Sequence, residues 1–127
     1  MPAEERDAGL RELPGTGGGE RAGGSRGQVR VVVYQAAYDD EQLAAVRAAY
    51  HQVSERLAKV PGMLGNELLR SPADPTALAV MSRWESREAF LAWEAGADHR
   101  QDTAPLRPYR DTRTTAPFAV YEVDAAY

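Results

Sequence analysis

The chain has 127 residues, 43% hydrophobic and 27% charged, which is long enough for one small globular domain of ordinary composition. Its net charge is −4 and its basic residues are scattered, which argues against nucleic acid as the main partner. The lack of cysteine excludes disulfides, thiolate catalysis and cysteine-ligated metals. The apolar runs are too short to cross a bilayer, and the N-terminus lacks the apolar core of a signal peptide. We therefore expect a cytoplasmic protein with no membrane partner.

Residues 1–27 differ in composition from the rest of the chain. They hold eight of the 11 glycines, and ordering glycine costs more backbone entropy than ordering any other residue. We therefore predict a flexible glycine-rich N-terminal tail over residues 1–27 and a folded domain over residues 28–127. The tail is either a solvated extension or a docking arm or lid, and its composition favours the extension.

The first half of the domain predicts a strand followed by a helix. Residues 29–37 are rich in valine, and their nearly continuous apolar run indicates a strand covered on both faces. Apolar side chains then recur at spacings of three and four, which is the pattern of one helix face. They are Leu43, Val46, Tyr50, Val53, Leu57 and Val60. Asp39 or Asp40 supplies the N-cap, and Pro61-Gly62 ends the helix.

The second half predicts a hairpin, a helix and a last strand. Residues 63–71 and 76–84 form strands on either side of a turn that contains two prolines. Ser86 caps a second helix, and Gly96 ends or kinks that helix. A short helical piece over residues 97–109 is broken by two prolines, and residues 115–124 form the last strand.

The order of these elements is β-α-β-β-α-β, the ferredoxin-like arrangement of the α+β class, with both helices on one face of an antiparallel sheet. Along the third strand, one set of side chains faces the helices and the other lies on the opposite face. The two sets are Leu78, Val80 and Trp84, and Ala77, Ala79 and Met81. In a domain this small an open apolar face leaves a large exposed patch, so we predict a homodimer that packs two such faces together.

Three short motifs lie in order on these predicted elements. PGMLG at residues 61–65 is at the first helix–strand junction. SRWES at residues 82–86 ends the third strand and precedes a helix that carries Phe90, and GADHR at residues 96–100 follows that helix. Together they resemble the antibiotic biosynthesis monooxygenase family over roughly residues 29–123. The resemblance implies a dimeric α/β barrel with a pocket between sheet and helices in each subunit.

The resemblance implies more than one activity. Some members oxidise polycyclic phenols of polyketide pathways to quinones with molecular oxygen and no cofactor, some degrade haem, and others are cyclases or have no known reaction. Fold and family alone do not decide among them. The leading hypothesis is a cofactor-independent monooxygenase that oxidises a phenolic intermediate of natural-product biosynthesis. The alternatives are a pathway cyclase or isomerase and a non-catalytic dimeric binding or stress-response protein.

The resemblance also suggests three catalytic residues. Trp84 matches a tryptophan that lines the family's pocket, although a core aromatic would give the same pattern. Arg100 matches an arginine that could hold a substrate oxyanion, the alternative being an exposed surface arginine. His99 titrates near neutrality and could act as a base, although a surface histidine at a helix end is the simpler interpretation.

The predicted substrate-binding residues are Tyr34, Val80, Ser82, Phe90, Trp93 and Tyr109. Two of them depart from the family pattern, because the quinone-forming members have an asparagine at the position of Val80 and a tyrosine at the position of Phe90. The apolar wall that remains would favour a dry site in which an arginine stabilises the substrate anion.

The sequence predicts no cofactor and no metal site, with molecular oxygen as co-substrate. Two isolated histidines do not make a metal site, and the glycine-rich tail lacks the strand and lysine of a phosphate loop. Haem degraders of the family carry an asparagine on the first strand, which residues 29–37 lack. Their axial histidine falls near Asp102 rather than His99, so the sequence argues against haem.

Overall fold

A computed structural model describes residues 25–127. The strands are β1 (Val29–Ala36), β2 (Met63–Arg70), β3 (Ala77–Trp84) and β4 (Phe118–Glu122); the helices are α1 (Asp40–Leu57), α2 (Arg87–Ala95) and α3 (His99–Thr103), followed by a 3₁₀ helix (Ala104–Tyr109). Neighbouring strands are antiparallel, in the order β2-β3-β1-β4. This is the predicted ferredoxin-like α+β fold. The predicted flexible tail lies almost wholly outside the described residues.

Three elements differ from the sequence prediction. Helix α1 ends at Leu57, so Val60 lies in the turn before Pro61-Gly62 and not on the helix as predicted. β4 begins at Phe118 rather than at residue 115, because the preceding residues form a turn in which the Thr114 hydroxyl donates to the carbonyl of Ala116 (2.7 Å). The helical piece predicted over residues 97–109 is divided, since α3 ends at Thr103 and a 3₁₀ helix with Pro108 inside it follows. Proline lacks an N–H donor and clashes with the preceding turn of an α-helix, which accounts for the change of helix type.

The sheet divides its side chains between two faces. Every second residue of β3, from Leu78 to Trp84, is buried. The register pairs Val29 with Trp84, so the odd-numbered residues of β1 share that face. Val32 and Met81, which pair with each other, lie on the opposite face, as does Leu69, which is 44% exposed.

Helix α1 covers the buried face of the sheet. Its buried stripe comprises Leu43, Val46, Ala49, Val53 and Leu57, and it packs with Leu78 and Val80 of β3 in one apolar cluster. At its start the Asp39 carboxylate accepts a hydrogen bond from the Gln42 N–H (2.8 Å), as predicted. The Gln42 side chain accepts in turn from the N–H of Tyr38 (2.8 Å), one residue before the position that a capping box uses.

The junction between α1 and β2 requires glycine at position 62. Gly62 has a φ of +86°, and a Cβ atom there would lie 2.5 Å from the Cβ of Ala89 in α2. This close approach brings the start of α2 against the junction, where the Ser86 hydroxyl caps it by accepting from the Ala89 N–H (3.0 Å). Gly62 of the PGMLG motif is therefore explained by the packing of α2, the helix that carries Phe90 and Trp93.

An ion pair orders the segment between the 3₁₀ helix and β4. The buried carboxylate of Asp111 accepts two hydrogen bonds from the Arg113 guanidinium, each 2.9 Å, and these hold the pKa of Asp111 below its usual range. Arg113 also lies over the ring of Tyr38, 5.3 Å from its centroid, and donates to the Thr76 hydroxyl (3.1 Å). The segment is thus tied to the loops that follow β1 and precede β3.

Candidate active site

A cavity of about 200 Å³ lies between the buried face of the sheet and the helices. Val31, Val33 and Val80 supply its sheet side, and Val53, Leu57 and Phe90 come from the helices. Its polar lining residues are Gln35, Ser82, Glu94, His99, Thr103, Arg107 and Arg110. The walls are mostly apolar with a few polar groups, which is the usual composition of a small-molecule site.

An aromatic cluster forms one wall of the cavity. The Trp93 ring stacks on Trp84, with centroids 5.3 Å apart and planes 28° apart, and Phe90 meets Trp84 edge to face at 5.6 Å. The Trp84 N–H donates to the Ser82 hydroxyl (2.9 Å), so its polar atom has a partner within the sheet. Trp93 and Phe90 line the cavity, whereas Trp84 lies behind them and is fully buried.

His99 stands at the edge of this cluster. Its ring meets Trp93 nearly at a right angle, with centroids 4.5 Å apart. The Trp93 N–H donates to the Asp102 carboxylate (2.9 Å), which fixes the indole against which the imidazole rests. Burial lowers the pKa of His99, and the charges of Arg107 and Arg100 act in the same direction while Asp102 opposes them. The imidazole is therefore neutral at physiological pH and can accept a proton.

The second ionisable group of interest is Arg107. One of its terminal nitrogens donates to the Thr103 hydroxyl (2.9 Å), which itself donates to the His99 carbonyl (3.1 Å). Its Nε is buried and finds no hydrogen-bond acceptor among residues 25–127. Burial lowers the pKa of Arg107, as do the nearby charges of Arg100 and Arg110. An arginine guanidinium can bind an anion through charge-assisted hydrogen bonds.

Gln35 closes the cavity on the side of the 3₁₀ helix. It is 2% exposed, and its amide oxygen and nitrogen are assigned from their surroundings. In that assignment the nitrogen donates to the carbonyls of Leu106 and Tyr109, at 3.1 and 3.2 Å. Gln35 also pairs with Arg110 through an isolated β-bridge, so the backbone on both sides of Arg107 is held against β1.

The cavity contains five of the nine residues predicted from the sequence. They are Val80, Ser82, Phe90, Trp93 and His99. The other four do not line it. Trp84 is buried behind Trp93, and Tyr109 packs at the margin of the core around α1. Tyr34 lies between Val33 and Gln35 in β1, so the strand's alternation points it to the opposite face of the sheet.

Arg100 is the fourth residue outside the cavity lining. Its side chain is exposed, and Arg107 stands in the lining instead. The GADHR motif suggested Arg100 in the first turn of α3. The arginine that lines the cavity, Arg107, lies seven residues later on the 3₁₀ helix. No sequence spacing fixes that relation, because it depends on the change of helix type after Thr103.

Gln35, Glu94 and Arg110 also line the cavity and were not predicted. Gln35 could have been predicted from the sequence, because it is an uncharged polar residue in a mostly apolar strand and needs hydrogen-bond partners when it is buried. Arg110 and Glu94 could not have been predicted in this way, because charged residues on short helices and turns are usually exposed.

Within residues 25–127, no group of three or more histidine, aspartate or glutamate side chains is placed to hold a metal ion. None of the helices in the same part of the chain is long and apolar enough to cross a membrane.

The fold and the cavity together define a ferredoxin-like domain with a mostly apolar cavity between its sheet and helices. The sequence profile of the antibiotic biosynthesis monooxygenase family matches residues 29–102, more than half of the chain. The protein belongs to this family.

Two Streptomyces proteins are similar in sequence. Protein SchA of Streptomyces halstedii is 42% identical over 86 residues, which are 68% of this chain and 22% of SchA. The 42.8 kDa protein in the whiE locus of Streptomyces coelicolor is 35% identical over 102 residues, which are 80% of this chain and 25% of that protein. The chain thus spans about a quarter of the length of these relatives.

Solved structures show the same fold. SnoaB, a cofactor-independent oxygenase from Streptomyces nogalater, superimposes with a TM-score of 0.61 over 78% of this chain and 95% of its own, at 16% identity. A conserved protein from Methanosarcina mazei gives a TM-score of 0.62 over 77% and 94% of the two chains, at 14% identity. At these identities the similarity concerns the fold alone.

Proposed function

We propose that this protein is a cofactor-independent monooxygenase that oxidises a phenolic aromatic intermediate of natural-product biosynthesis to a quinone, as a cytoplasmic homodimer. The observation that carries the proposal is the Arg107 guanidinium, whose buried Nε has no acceptor among the described residues and which lines an apolar cavity together with His99. A phenol in this cavity would meet a cation for its oxyanion and a neutral imidazole for its proton. SnoaB, which shares the fold, supports the reaction class.

The proposed reaction converts a phenol and dioxygen into a quinone and water. The phenol gives its hydroxyl proton to His99, and the phenolate, held by Arg107, passes one electron to dioxygen. The resulting superoxide joins the substrate radical at the ring carbon para to the oxygen and, with the proton returned by His99, gives a hydroperoxide. Loss of the hydrogen on that carbon and cleavage of the O–O bond then leave a carbonyl and release water. Both electrons that reduce the peroxide bond come from the substrate.

The apolar lining supports this chemistry in a second way. Val33, Val80 and Phe90 offer no hydrogen bond to a substrate, so the phenolate would be stabilised mainly at its oxygen and would keep its electron density on the ring. In the proposed reaction, the replacement of the family's asparagine and tyrosine by Val80 and Phe90 would therefore favour electron transfer from the ring.

The exposed sheet face supports the proposed homodimer. Val32, Met81 and Leu69 lie on this face, and a second copy would bury them by two-fold packing. Sedimentation equilibrium at micromolar concentration tests the assembly. We expect the mass of a dimer, and a monomer would contradict this part of the proposal.

Dithranol, a dihydroxyanthrone whose enol is an electron-rich phenol, is a suitable test substrate for the oxygenase. In air, with a chelator present, we expect the protein to convert it to danthron with one dioxygen consumed per product. Under argon no product should form. Dithranol also oxidises spontaneously, so heat-denatured protein gives the background rate. An uptake rate no faster than this background would contradict the proposal.

We expect the pH dependence of kcat/KM to follow His99. A base acts when it is deprotonated, and burial places the pKa of His99 below its ordinary value of 6.5. Activity should therefore be full at neutral pH and fall only as the pH drops through a value below 6.5. His99→Gln should turn over more slowly and lose this acid limb. An unchanged acid limb in His99→Gln would assign the proton transfer to another group.

A further inference from the structure

Two arginines, Arg107 and Arg110, line the cavity, and a third, Arg100, is close enough to lower the pKa of Arg107. Residues 100–113 contain four arginines and two aspartates, and no lysine or glutamate. Both aspartates accept hydrogen bonds elsewhere, Asp111 from Arg113 and Asp102 from the Trp93 N–H. With Asp111 paired to Arg113, the charges of Arg100, Arg107 and Arg110 outnumber that of Asp102, which leaves a local excess of positive charge in a protein whose net charge is −4.

The positions of the three side chains differ. Arg107 lines the cavity and is half-buried, while Arg110 also lines it but is exposed, so Arg110 lies where the cavity meets solvent. The backbone of Arg110 is held by its bridge to Gln35 and by the hydrogen bond from its N–H to the Arg107 carbonyl (3.3 Å). Arg100 is exposed, and its charge acts on Arg107.

The charges of these arginines act on one another. The pKa of Arg107 is lowered by burial and then by Arg100 and Arg110, and no carboxylate among residues 25–127 offsets these effects. Glu94 is the carboxylate that shares the cavity lining, and it is not among the groups that shift the pKa of Arg107. One guanidinium is enough for a phenolate, so the cluster can accommodate a second anionic group.

We propose that the substrate is a phenolic acid, whose ring system fills the apolar cavity while its carboxylate binds Arg110 at the mouth. The inference rests on the proposed function for the identity of the ring system. A guanidinium binds a carboxylate through charge-assisted and often paired hydrogen bonds, which suits recognition at a rim. Arg110 is then a specificity-determining residue, distinct from Arg107, which binds the oxyanion that reacts.

Two stable anthraquinones test this inference without any turnover. Rhein carries a carboxylate that danthron lacks, and both can be followed by quenching of the tryptophan fluorescence, since Trp93 lines the cavity. We expect the full chain to bind rhein at least about 10-fold more tightly than danthron, because a hydrogen bond to a charged group contributes roughly that factor.

Arg110→Gln should remove this preference by weakening rhein about 10-fold while leaving danthron unchanged. Arg47→Gln, which removes the same charge from the exposed face of α1, is the matched control and should keep the preference. Equal binding of rhein and danthron by the unmodified protein would overturn the inference, as would an Arg110→Gln variant that loses both equally. Binding is measured separately from oxygen uptake, so a failure of the proposed oxidation would be seen on its own.

Discussion

Replacement of Arg107 by alanine should lower kcat for the oxidation of dithranol by about 10²–10³, the usual effect of removing one preorganised donor to a developing oxyanion. The physical reason is that the Arg107 side chain lines the cavity, and its buried Nε has no acceptor among the described residues. Arg107→Lys should recover only part of the loss, because lysine keeps the charge but not the planar array of donors. Stopped-flow absorbance of the quinone product measures the effect.

Arg100→Ala is the informative comparison for this prediction. The family pattern suggests that Arg100 holds the oxyanion, but its side chain is exposed and outside the cavity lining. We therefore expect Arg100→Ala to keep a kcat close to that of the unmodified protein. If Arg100→Ala were the slow variant and Arg107→Ala the fast one, the assignment from the motif would be correct and ours would be wrong.

Trp84→Ala should destabilise the domain by about 3–5 kcal/mol, the range found when a large buried aromatic is truncated. The Trp84 ring is fully buried, stacks on Trp93 and donates to the Ser82 hydroxyl. Since small domains are stable by only about 5–15 kcal/mol, this change should remove a large part of the free energy of unfolding. Urea unfolding followed by circular dichroism measures the loss.

Trp84→Phe separates the packing role from a catalytic one. Phenylalanine keeps an aromatic ring behind Trp93, so the folded variant should have lower stability but nearly unchanged kcat. A variant of unchanged stability whose KM rises steeply would show that Trp84 itself contacts the substrate, as the resemblance suggests.

The fold could be predicted because its determinants are local. The spacing of Leu43, Val46 and Val53 defines a helix face, and the alternation along β3 defines a sheet face, so neither depends on distant residues. Ser86 marks the start of α2 through its side chain, and Gly62 marks the turn before β2 through its positive φ, although α1 itself already ends at Leu57. The start of β4 was missed because it depends on a turn held by the Thr114 side chain.

Residues of the site could be predicted only where they lie on a strand or on a regular α-helix. Val80, Ser82 and Phe90 follow from periodicity, because their elements fix the direction of each side chain. Arg107 and Arg110 do not, since their place in the cavity depends on how the 3₁₀ helix packs against Gln35. A short motif can identify the family, but the position of a charge on an irregular segment requires the three-dimensional structure.

Single-turnover oxidation of dithranol under isotopically labelled dioxygen tests the central claim most directly. The protein is freed of metals and given no flavin or haem, and the danthron formed is analysed by mass spectrometry. The proposed reaction predicts one labelled oxygen atom in the new carbonyl of danthron and the other in water. Danthron that carries oxygen from unlabelled water instead, after a quench that prevents exchange, would contradict a monooxygenase reaction in this cavity.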